Sequence, residues 1–70
     1  MSSTRNPKET GKELMRSNFN SMAMHNMNSM TGVSLNTCDF KFDSDQDQVL
    51  CKNGVIEETK KIKEEIEKRK

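Results

Sequence analysis

The stretch from Ser34 to Lys52, SLNTCDFKFDSDQDQVLCK, decides the fold. Ser34 to Phe42 and Gln48 to Lys52 flank the turn-rich run Asp43-Ser44-Asp45-Gln46-Asp47, which is the pattern of two strands joined by a polar turn. With the centre of the turn between Ser44 and Asp45, Phe40 faces Val49 and Cys38 faces Cys51. One face then carries Cys38, Phe40, Phe42, Val49 and Cys51, and the other Thr37, Asp39, Lys41, Gln48 and Lys52, interrupted by Leu50. A period of two with one apolar side predicts an antiparallel β-hairpin over residues 34–52, its apolar side on a core.

Towards the carboxy terminus, Asn53-Gly54 punctuates the chain, and residues 55–70 read as an amphipathic helix. Val55, Thr59, Ile62 and Ile66 form its apolar stripe, while Glu57 with Lys61, Glu64 with Lys68 and Glu65 with Arg69 stand at the spacing of favourable helix-surface pairs. Towards the amino terminus, residues 1–9 read as a flexible tail that already holds one helix-start signal, Asn6-Pro7-Lys8-Glu9. Thr10-Gly11-Lys12-Glu13 is a capping box and opens a Met-rich helix over residues 10–31, stopped by Gly32. Met15, Phe19, Met22, Ala23, Asn26 and Met30 share one stripe of that helix, with Met27 at its flank. The Asn and Ser residues between Ser17 and Met30 oppose it, each by about half a kcal/mol relative to Ala. The expected fold is therefore α+β: a single small domain of amino-terminal Met-rich helix, two-stranded antiparallel β-hairpin and carboxy-terminal amphipathic helix, both helices covering the apolar sheet face.

The core is thin. Among 70 residues there are three each of Leu, Ile, Val and Phe, and a chain this poor in large apolar groups leans on a partner, a second copy or a cross-link. The net charge of +1 with 33% charged residues excludes disorder driven by one sign of charge. No segment is basic enough, or interleaved with enough aromatic residues, to expect nucleic-acid binding. No apolar run approaches a membrane span and residues 1–16 lack the apolar region of a secretion signal, so the expected setting is cytoplasmic, away from membranes, with reduced thiols.

Ser17 to Asn36 carries no formal charge and yet is not hydrophobic. Built largely from Asn, Ser and Met, it is inexpensive to desolvate and reads as a contact surface. The expected binding residues are Met15, Phe19, Met22, Met27 and Met30, with the region around Leu35, Asp39 and Leu50 on the outer sheet face as the next place to look.

Three constellations offer other chemistry. Met22, Met24, His25, Met27 and Met30 set four thioethers and an imidazole within nine residues, a donor set suited to Cu(I) or Ag(I). This spacing resembles the methionine motifs of copper-handling transporters and periplasmic metal-binding proteins, and the resemblance implies soft-metal binding by those five residues. The same methionines equally suit an adaptable apolar surface, in which case no metal or other cofactor is bound. Cys38 and Cys51 read as two small buried hydrophobes, with a cross-strand disulfide or redox pair as the alternative. Structural zinc lacks two further ligands. Asp43, Asp45 and Asp47 begin like a calcium loop, but Gln48 stands where Gly is needed and Gly54 where a bidentate Glu is needed.

No nucleophile with a neighbouring base is apparent, and an enzyme is not expected. The leading functional expectation is a small non-enzymatic interaction module: a regulator, an inhibitor or an accessory subunit of a larger assembly, of a size found among viral and plasmid-encoded proteins. It would bind a protein partner or its own copy through the uncharged Met-rich segment. The alternatives are a copper binder using the Met/His ligands and a thiol-redox protein using the cysteine pair.

Overall fold

The computed structural model describes residues 6–21 and 26–68. These form three helices: α1 (Pro7–Ser21), α2 (Met27–Lys41) and α3 (Asp45–Lys68). The described residues contain no strand, and the expected β-hairpin over residues 34–52 is replaced by the end of α2, a turn, and the start of α3. The fold is all-α, not α+β.

Local chemistry accounts for each boundary. Asn6 and Pro7 are the start signal that operates in α1: the Asn6 Oδ1 accepts the Lys8 N–H at 2.9 Å, and Pro7 occupies the first helical position, where its missing N–H leaves nothing unpaired. The single helix expected over 10–31 is divided, because Asn26 is extended (φ −88°, ψ 101°) and caps α2 with its Oδ1, which accepts the Ser29 N–H at 3.2 Å. Asp45 and Asp47, expected at a hairpin tip, lie in the first turn of α3, where carboxylates complement the helix dipole. The turn is held by Gln48, whose Nε2 donates to the Phe42 carbonyl at 2.7 Å beyond the end of α2.

Gly54 does not interrupt α3. It is buried against α1, and a Cβ there would run into the carbonyl of Lys8. Gly11 is its counterpart, since a Cβ at that position would run into the carbonyl of Cys51. Two helix-interior glycines therefore let the α1 and α3 backbones touch, a closeness that even alanine would prevent. Their cost in helix propensity, about 1 kcal/mol each, is offset by that packing.

Met15, Met30, Cys38, Cys51, Val55 and Ile62 are fully buried between the three helices, and Leu14, Phe19, Met27, Leu35 and Phe42 close over them. Cys38 and Cys51 form a disulfide with their Cα atoms 5.7 Å apart, joining α2 to α3 across the turn. Phe40 and Val49, expected on the same buried face as the cysteines, point outward instead.

Candidate interaction surface

Polar groups inside the bundle are satisfied by one another. The Arg16 guanidinium forks onto Glu65 with two hydrogen bonds of 3.0 Å, and its Nε donates to the buried Glu58 at 2.8 Å. Its pKa is raised, first by the hydrogen bonds to Glu65 and then by Glu58, against the opposing effect of burial. Beside this network α1 and α3 border an open depression of about 590 Å³. Glu9, Glu13 and Glu58 there face Lys12, Arg16 and Lys61, so charge is balanced locally and nothing distinguishes an anionic from a cationic occupant. Size alone does not make it the candidate site.

The outer side of α2 is different. From Met27 to Cys38 this helix contains no charged residue, although Asn28, Ser29, Gly32, Val33 and Asn36 are exposed. A stretch without charge is less costly to desolvate than the charged surfaces of α1 and α3. Val33 and Phe40 stand about 20° apart around the axis, two turns apart along it, and are 46% and 88% exposed. The Thr37 hydroxyl between them donates to the Val33 carbonyl at 2.9 Å, so it makes no strong demand on water. A phenyl ring left this open, in line with a half-exposed valine two turns away and with the satisfied Thr37 hydroxyl between them, is a surface suited to another chain.

The residues expected from sequence as the contact stripe are dispersed. Met15 and Met30 lie in the core with no exposed surface, and Phe19 and Met27 are half-buried against it. Met22, Met24 and His25 lie outside the described residues, so two of the five expected soft-metal ligands are described, and Met30 is occupied by core packing. Among the described residues no three His, Cys, Asp or Glu side chains gather at metal-binding distance. Leu35 borders the α2–α3 groove, Asp39 pairs with Lys52 at 2.9 Å across it, and Leu50 is exposed on α3.

The surface residues missed from sequence are Val33, Phe40 and Ile56. Their signal was the seven-residue spacing of Val33 and Phe40, which has meaning only on a helix. Among the described residues no helix is long and apolar enough to cross a membrane. No protein-family model, curated protein or solved structure matches the chain.

Proposed function

We propose that the chain is a small non-enzymatic interaction module, a regulator, inhibitor or accessory subunit, that engages another protein through the uncharged outer face of α2. The observation that carries this reading is Phe40, 88% exposed and in line with Val33 on a helix without charge from Met27 to Cys38. Covering such a face removes apolar area from water without stranding a charge. This reading moves the contact from the expected methionines to Val33 and to Phe40, the latter beyond the uncharged stretch Ser17 to Asn36.

The cysteines also bear on the setting. A buried Cys38–Cys51 bond favours an oxidising compartment over the reducing cytoplasm expected from sequence. Alkylation of the protein in denaturant directly from its source cells should therefore find no free thiol.

A photo-crosslinking phenylalanine analogue at position 40, expressed in the source cells, tests the binding face. One discrete adduct is expected, absent when the probe sits at Glu67 and lost on Val33→Asp in protein that remains helical by circular dichroism. Identical adducts from positions 40 and 67 would overturn the reading, as would an adduct indifferent to Val33→Asp.

A further inference from the structure

We infer that the groove between α2 and α3 receives an acidic amphipathic helix of the partner protein, a proposal that rests on the interaction reading above and names the partner's chemistry. The groove has a volume of about 400 Å³. Gly32 lines it at an exposed position, where an added Cβ would meet nothing within 4 Å. Unlike Gly11 and Gly54, this helix-interior glycine serves no packing within the chain, although it weakens α2 by about 1 kcal/mol relative to alanine. What the missing side chain provides is room for a backbone from outside.

The walls are apolar, with Leu35 on α2 and Ile56 on α3, the latter 46% exposed. At the base the hydroxyls of Thr31 and Thr59 share a hydrogen bond of 3.2 Å, so neither requires a polar group from the occupant. One turn beyond Leu35 and Ile56, the Asp39–Lys52 ion pair spans the two helices and closes that end.

Charge selects the occupant. Lys60 and Lys63 stand on the rim, no carboxylate lines the groove, and neither lysine forms an ion pair among the described residues. Lys8, Lys12 and Lys52, by contrast, all face carboxylates of the chain itself. An apolar trough with a basic rim fits a helix that lays leucine-like side chains on Leu35 and Ile56 and sets glutamates against the two lysines. A second copy of this chain fits poorly, because a two-fold contact through the same groove brings Lys60 and Lys63 towards their own counterparts.

Amide chemical-shift titration of the isotope-labelled, disulfide-intact protein tests the proposal with two synthetic helical peptides. Each carries leucines on one face, and the flanking residues are glutamate in one and lysine in the other. The acidic peptide should shift the amides of Gly32, Leu35, Ile56 and Lys60 saturably, with the basic peptide weaker by about tenfold or more. Gly32→Leu, which fills the groove from an open position and raises helix propensity, should abolish these shifts. Lys60→Glu with Lys63→Glu should reverse the peptide preference, and decides the matter should Gly32→Leu alter the fold. Equal binding of both peptides, shifts located elsewhere, or full binding by Gly32→Leu would overturn the proposal. A native dimer that Gly32→Leu dissolves in sedimentation would overturn it in favour of a second copy. Failure here with the position-40 adduct intact leaves the interaction module standing, whereas loss of that adduct with peptide binding intact removes the Phe40 face alone.

Discussion

At the scale of single residues, the three glycines make opposite demands although all lie in helices. Gly54→Ala drives a methyl group into the Lys8 carbonyl, and the separation of α1 from α3 should cost about 1–3 kcal/mol or more in urea denaturation. Gly32→Ala meets empty space and should stabilise by about 0.5–1 kcal/mol in the same measurement. Equal effects at the two positions would contradict the α1–α3 crossing. Glu57 is a case of charge rather than shape. Its carboxyl is held below the usual carboxylate range, chiefly by the hydrogen bond from Lys8, with Lys12 adding its charge. A depressed folded-state pKa means that the contribution is present above the ordinary carboxylate range and is lost as pH falls through the depressed value. The group is exposed, so the effect is small and screened by salt. Glu57→Gln should leave melting in acid nearly unchanged while slightly lowering it at neutral pH, a difference that shrinks in high salt.

At the scale of elements, the N-cap of α2 is the feature that divides one long helix into two. Asn26→Ala removes the acceptor for the Ser29 N–H and should cost about 1 kcal/mol, read as a lower thermal midpoint with faster amide exchange in residues 27–30. The carboxy-terminal helix was legible in the sequence because its stripe and its charges repeat at one period only, although it starts ten residues earlier than expected. The segment 34–52 was not, and the reason is arithmetical. Met30, Ser34 and Cys38 recur every four residues, and a spacing of four satisfies both a strand with period two and a helix with period 3.6. Phe40 breaks the tie: a strand places it beside Cys38, a helix places it outside, and its apolar character argued for the wrong side. The juxtaposition of Cys38 with Cys51 is common to a β-hairpin and an antiparallel helical pair with the same turn, so it was readable without knowing the element type. Val33 and Phe40 were hidden for the same reason that α2 was.

At the scale of the whole molecule, a core of six fully buried apolar side chains among the described residues is supplemented by one covalent bond. Closing a loop of thirteen residues' separation should contribute about 3 kcal/mol, so reduction should lower the urea midpoint markedly while leaving the helical signature of the circular dichroism spectrum at low denaturant. A reduced protein as stable as the oxidised one would show that the bond constrains little. The position of Cys51 has a wider consequence. Its sulfur is bonded to α2, and its carbonyl is the atom that a side chain at Gly11 of α1 would strike. All three helices are thus pinned at one level. Residue 51 is mechanically a rivet: reducing its bond frees α2 from α3, and a side chain at position 11 prises α1 away from the same point, so either lesion loosens the bundle at one and the same level.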